Sequence, residues 1–145
     1  MSLLRRLDHV AVAVRDTEEA LRTFRDRLSL RVVRSEEIPT PHVRLTYLDC
    51  GNAYLQLVEP LEPDLELARW IDEHGEGLHH ICFGADDPVA AAGRLAPEGA
   101  PPPAGGTGRG RVSAFVPGGP VHGVRVECTE FRREEDVEGT AGWLP

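Results

Sequence analysis

Lysine is absent, and all 16 basic residues are arginine. That excludes a Schiff-base lysine, a pyridoxal-phosphate lysine and the lysine of a Walker-type phosphate loop in one step. Arginine suits bidentate contacts to carboxylate or phosphate. Cysteine is scarce: Cys50, Cys82 and Cys128 are odd in number and not closely paired. They read as reduced thiols packed as small apolar groups, which excludes a disulfide framework. No apolar run approaches the roughly 20 residues that span a bilayer. The start, Met1-Ser2-Leu3-Leu4-Arg5-Arg6, leads into Asp8 and His9 without a small-residue cleavage site, so no signal peptide is expected and a cytoplasmic location is. Basic charge is short as well. A net charge of −8 argues against nucleic-acid binding, which needs a basic face, and an anionic ligand would have to meet a local patch. With 41% apolar and 28% charged residues, the 145-residue chain is expected to form one globular domain (1–145) with its own core.

What is present is a repeat. Leu7-Asp8-His9-Val10-Ala11-Val12 returns 71 positions later as Leu78-His79-His80-Ile81-Cys82-Phe83. Gln56, in Tyr54-Leu55-Gln56-Leu57-Val58-Glu59-Pro60, returns at the same offset as Glu127 in Arg125-Val126-Glu127-Cys128. Two independent pairs with one offset, each flanked by apolar residues, mark a duplicated module and predict a site on the pseudo-twofold axis between the halves.

Residues 7–14 alternate as a strand, with His9, Ala11 and Ala13 on one face and Val10, Val12 and Val14 on the other. The valine face is expected to pack on the following helix, capped by Asp16 and running to about Leu28 with Ala20, Leu21 and Phe24 on its stripe. Strands over 31–38, 43–50 and 53–59 complete a first β-α-β-β-β module over about 6–60. A linker helix over about 64–75 is capped by Asp64. The second module, about 78–130, restarts with His80, Cys82 and Gly84 on one face. Asp87 caps a shorter helix with Ala91, Ala92 and Leu95 on its stripe. Residues 101–103 and 105–110 read as a mobile loop over a cleft, since Gly106-Thr107-Gly108-Arg109-Gly110 lacks the strand and helix context of a nucleotide-binding loop. Strands over 111–116 and 123–129 follow. Residues 131–145, with Trp143, read as a tail that could cover a neighbouring copy, and a homodimer is expected. The fold expected is α+β, with two tandem modules forming a curved eight-stranded mixed sheet around a cleft.

His9, Gln56, His80 and Glu127 fall on four different strands. Mixed nitrogen and oxygen donors of this kind suit an octahedral divalent ion with positions left for water or substrate. Leaving Gln56 and Glu127 buried without a polar or cationic partner would cost several kcal/mol. Asp8 and His79 have the opposite parity and are expected to face away from the site. His74 and His122 flank turns and read as exposed.

These motifs resemble the vicinal oxygen chelate superfamily of glyoxalase I, extradiol dioxygenases, antibiotic-resistance proteins and methylmalonyl-CoA epimerases. The stretches Leu7-Asp8-His9-Val10, Leu55-Gln56-Leu57-Val58-Glu59-Pro60-Leu61, Gly75-Glu76-Gly77-Leu78-His79-His80-Ile81 and Gly123-Val124-Arg125-Val126-Glu127 are most similar to the epimerases. The resemblance implies that His9, Gln56, His80 and Glu127 ligate a divalent ion such as cobalt, manganese, zinc, nickel or iron. It also implies an acyl-CoA substrate of the methylmalonyl type, epimerised by C2 proton removal through an enolate held by that metal, with Glu127 as one base. The family's second base is a glutamate at the position of Leu45, and leucine cannot accept a proton. The family's His-Pro-Lys stretch before the last strand is Val116-Pro117-Gly118 here. Two other readings stay open. One is a relative using the same chelate on another substrate, as a cyclase, lyase or dioxygenase, although a coordinating Gln56 counts against the dioxygenase triad. The other is a non-catalytic antibiotic binder, which has no need of four ligands.

Overall fold

The computed structural model describes residues 3–132. The alternating start forms β1 (Leu7–Ala13). Asp16 then leaves the strand in an extended conformation, and its carboxylate accepts a hydrogen bond from Glu19 N at 3.0 Å, which starts α1 (Thr17–Leu21). The helix continues over Arg22–Arg27 with wider turns, Leu28 N donating to the Thr23 carbonyl five residues back. Strands β2 (Arg31–Pro39), β3 (His42–Asp49) and β4 (Tyr54–Pro60) complete the first module. After α2 (Glu66–His74) come β5 (Gly77–Ala85), α3 (Pro88–Leu95), β6 (Gly105–Gly108), β7 (Arg111–Phe115) and β8 (Val126–Glu130). Asp87 caps α3 as expected, its carboxylate accepting from Ala90 N at 3.1 Å.

Three expectations need correction. Asp64 does not cap α2; Leu65 holds that position without a side-chain cap bond. Leu65 and Leu67 pack on the inner apolar cluster, so burial of these side chains sets where the helix begins. The glycine run is not a loop, since residues 105–108 pair with β7 as β6. Glycines carry no apolar pattern to announce a strand, but Gly106 approaches Ser113 and Gly108 approaches β3 more closely than a side chain readily allows. Leu95, assigned to the buried stripe of α3, is 39% exposed, while Ala91 and Ala92 are buried.

All eight strands form one sheet in the order β2-β3-β4-β1-β5-β8-β7-β6. The order is the same read from the centre outward in either half. β1 and β5 pair antiparallel at the middle, β4 lies parallel to β1, and β8 lies parallel to β5. Register repeats too: Ala11 pairs with Gln56, and Cys82 pairs with Glu127. On the helical face, Val14, Leu21, Leu48 and Leu57 join Val12, Ala20 and Phe24, and Ala85, Ala91, Ala92, Ala114 and Cys128 form the matching cluster. Each fully buried leucine contributes about 1.5–3 kcal/mol. On the inner face Ala11, Val43, Leu45, Tyr47, Tyr54 and Val58 pack together. Phe131, expected to begin the tail, is tied to β5 through Phe131 N to Ala85 O at 2.9 Å; the rest of the expected tail, with Trp143, lies outside the described residues. Among the described residues no helix is long and apolar enough to cross a membrane.

The sheet curls until its last hairpin meets its first. Arg109 N, in the β6–β7 turn, donates to Glu36 Oε1 on β2 at 2.6 Å. A Cβ at Gly108 would stand 3.0 Å from Tyr47 Oη and 3.3 Å from Leu45 Cδ1, both on β3. Gly108→Val is therefore expected to destabilise the protein by about 1–3 kcal/mol, the usual cost of overpacking. Thermal denaturation reads this as a lowered midpoint, and an unchanged midpoint would contradict the close approach.

Candidate metal centre

The inner face encloses a cavity of about 400 Å³. His9, Gln56, His80 and Glu127 all line it, together with Leu45, Tyr47, Trp70, Phe115 and Arg125. A second hollow, of about 360 Å³ and lined by Arg15, Pro60, Leu61 and Asp72 among others, contains none of these donors. His9 and His80 come from the two central strands, and Gln56 and Glu127 from the strands beside them. His9 Nε2, His80 Nε2 and Glu127 Oε1 are each 3.4 Å from the other two. The centre of such a triangle lies about 2 Å from each corner, the length of a metal–nitrogen or metal–oxygen bond. Gln56 Nε2 donates to Tyr47 Oη at 2.8 Å, while Gln56 Oε1 is buried without a partner among the described residues. An orphaned amide oxygen on a residue lining the same cavity as that triangle is an acceptor suited to a cation, so the residues fit a divalent ion.

Asp8, His9 and Cys82 form a second triplet with metal-competent atoms close together. Asp8 Oδ2 already receives the Arg109 guanidinium at 2.5 Å and His9 Nδ1 at 2.7 Å. A positive charge on that oxygen makes the triplet a poor cation site.

Asp8 and His79 do not face away as parity predicted. The β1–β5 ladder slips by one residue at two places, between Leu7 and His9 and between Ala11 and Val12, and the extra residues there are Asp8 and His79. A bulge re-aims its side chain, which a strict two-residue period cannot anticipate. Asp8 is 5% exposed and bonded to His9. His79 lines the cavity with Nδ1 2.8 Å from His80 Nδ1, its ring edge-on to Trp70. The two bulges stand at equivalent positions of the repeat, so each histidine with Nε2 in the triangle has its Nδ1 met by the residue just before it. Adjacency in sequence was the one available signal for these partners. For Arg109, more than 100 residues from Asp8 in the chain, there was none.

The electrostatics follow from burial and pairing. Burial alone would raise the Glu127 carboxyl, but His80 and His9 hold it well below its ordinary value. Burial would lower the His9 imidazolium, yet Asp8 and Glu127 raise it. His80 is shifted down by its burial. His79 falls to about 3, chiefly through burial and then the charges of His80 and Arg125, and is neutral at physiological pH. Asp8, which burial would raise, is held at about 2 by His9 and Arg109. An ionised Asp8 only accepts, so the proton of its bond to His9 sits on Nδ1. In neutral His9 that tautomer leaves the Nε2 lone pair turned towards the triangle.

The chain is 32% identical over 99 residues to an ethylmalonyl-CoA/methylmalonyl-CoA epimerase of Cereibacter sphaeroides, covering 68% of this chain and 74% of that protein. It is 37% identical over 91 residues to the mitochondrial methylmalonyl-CoA epimerase of Mus musculus, a match over 61% of this chain but only 50% of the mouse protein. Among solved structures it resembles a glutamate-to-leucine variant of methylmalonyl-CoA epimerase from Streptomyces coelicolor in complex with 2-nitronate-propionyl-CoA. That likeness has a TM-score of 0.77 at 30% identity, over 90% of this chain and 96% of that one. The family model of the glyoxalase/bleomycin resistance protein/dioxygenase superfamily matches residues 8–116, and the chain belongs to that superfamily.

Proposed function

We propose that this protein is a metal-dependent epimerase or isomerase of methylmalonyl-CoA or a similar acyl thioester, with His9, Gln56, His80 and Glu127 as the metal ligands. The observation that carries the reading is the triangle of donors 3.4 Å apart, with the partnerless Gln56 Oε1 in the same cavity. A divalent ion bound there would supply Lewis-acid stabilisation of the negative charge that develops on substrate oxygens as the C2 proton leaves. Glu127 is the base, being held ionised by the two histidines and lining the cavity from β8. Leu45, Val43, Val58 and Phe115 supply apolar walls that exclude water around the reacting carbon. Arg125, just before β8, puts a cation at the cavity of an acidic protein, where an anionic thioester would be received.

Leu45 favours a second reading, in which the same donors serve a relative acting on another substrate. Metal analysis of the purified protein, followed by mass spectrometry of deuterium uptake at C2 of methylmalonyl-CoA, separates the two. About one equivalent of metal together with C2 exchange is expected. Metal without exchange would move the protein to another substrate, and no metal would overturn both.

A further inference from the structure

Asp8 and Arg109 take no part in the chemistry above, yet both are buried against it. Asp8 Oδ2 accepts from His9 Nδ1 and from Arg109 Nη2. Arg109 comes from the hairpin turn that closes the sheet, with its backbone N bonded to Glu36 and its own φ at 55°, a left-handed conformation uncommon for a residue with a side chain. Its guanidinium lies over the rings of Tyr47 and Tyr54, at 4.6 and 5.3 Å from their centroids. Among the described residues its Nε and Nη1 have no hydrogen-bond acceptor. Two aromatic faces, a strained turn and one carboxylate oxygen thus hold this side chain, and all of them direct it at Asp8. The duplication does not repeat the arrangement, because the equivalent bulge in β5 carries the neutral His79.

We propose that Asp8 and Arg109 are positioning residues for the metal: Asp8 keeps the His9 ring turned with Nε2 at the site, and Arg109 keeps Asp8 in place. The inference rests on the metal reading above and extends it to two residues outside the four candidate ligands. The physical basis is that a ligating imidazole binds best when its other N–H is fixed by a carboxylate, which sets tautomer and ring orientation and raises donor strength. A carboxylate oxygen held by one partner can still swing about it, whereas Asp8 Oδ2 is held by two, His9 on its own strand and Arg109 on the closing hairpin. The β6–β7 hairpin that borders the cavity is thereby tied to one metal ligand. If the pair only closed the sheet, its loss would lower stability and leave metal affinity alone.

The probe is cobalt(II), titrated against a competing chelator and followed by its visible spectrum, on the full-length wild type, Asp8→Asn, Asp8→Ala, Arg109→Met and the Asp8→Ala/Arg109→Met double variant. Thermal midpoints of the metal-free forms are measured in parallel. Asp8→Ala and Arg109→Met are expected to lose about 10- to 100-fold in cobalt affinity with an altered spectrum. Asp8→Asn, of the same size and still offering an oxygen to His9, is expected to lose less, and it carries the test if Asp8→Ala does not fold. The double variant should lose little more than the worse single one, because both act through one ring. Wild-type affinity and spectrum in both Asp8→Asn and Arg109→Met overturn the inference alone. A wild type that takes up no cobalt overturns the metal reading and this inference with it.

Discussion

His80→Ala is expected to strip the protein of its metal and of C2 exchange together. The substitution removes one corner of the triangle and leaves His9 Nε2 and Glu127 Oε1 as a pair 3.4 Å apart. Glu127 also loses the foremost of the charges that offset its burial, so its carboxyl rises towards protonation in the metal-free protein. Both effects weaken cation binding, since a protonated carboxyl must lose its proton before it can ligate. Metal affinity should fall by more than about 100-fold, beyond what the loss of a ligand's outer partner costs. Exchange at C2 should fall by at least about 10²- to 10³-fold, the cost of losing one preorganised stabiliser of developing charge. His79→Ala is the contrast: it removes the group beside His80 Nδ1 and spares the triangle. It should keep its metal with affinity reduced by no more than about 100-fold. Equilibrium dialysis with metal analysis, beside far-ultraviolet circular dichroism to monitor folding, measures both variants. Stoichiometric metal in His80→Ala, or metal lost from His79→Ala alone, would reverse the assignment of the two histidines.

The contrast also shows which parts of the site were legible before the fold was known. Placements that depend on strand alternation and repeat offset could be read, because both are periodic properties of the chain: His9 with His80 and Gln56 with Glu127 carry one offset, and all four line one cavity, where His9, His80 and Glu127 bring their donor atoms together. The helix starts at Asp16 and Asp87 were legible for a local reason, as each caps a backbone N–H three residues on. Asp8 and His79 were misread because a β-bulge is a register event between two strands, invisible in either strand alone. Glycine strand β6 was missed because pairing and close packing hold it in place of apolar side chains. The Arg109 contact to Asp8 depends on how far the sheet curls, a global property with no local signature.

The second large effect concerns Leu45, which lines the same cavity as Glu127. With leucine at position 45, we expect the wild type to exchange the C2 proton of one methylmalonyl-CoA epimer with solvent while inverting it poorly. A positioned general base contributes about 10²- to 10⁴-fold, and inversion needs one on each face of the reacting carbon. The neighbours that could stand in for the missing carboxylate are poorly placed. Asp49 accepts from Gly51 N and from Arg31, and His42 is engaged with Glu37 and Glu62. Tyr47 does line the cavity, but burial pushes its phenol far above the ordinary range, so it keeps its proton and cannot act as a base at neutral pH. Leu45→Glu places a carboxylate of similar length on the cavity wall, among Val43, Val58 and Tyr47. Desolvation there should raise its pKa towards neutrality, which suits a base that must give the proton back. Inversion should rise by about 10²-fold or more, up to the 10⁴-fold limit for such a group. Deuterium exchange into each epimer, resolved by chiral analysis at equal metal loading, separates one-sided exchange from inversion. Tyr47→Phe serves as the comparison and should leave the low wild-type inversion rate where it was. If wild type inverts at ordinary enzyme rates and loses that rate in Tyr47→Phe, the tyrosine is the second acid–base group and leucine at position 45 is no handicap.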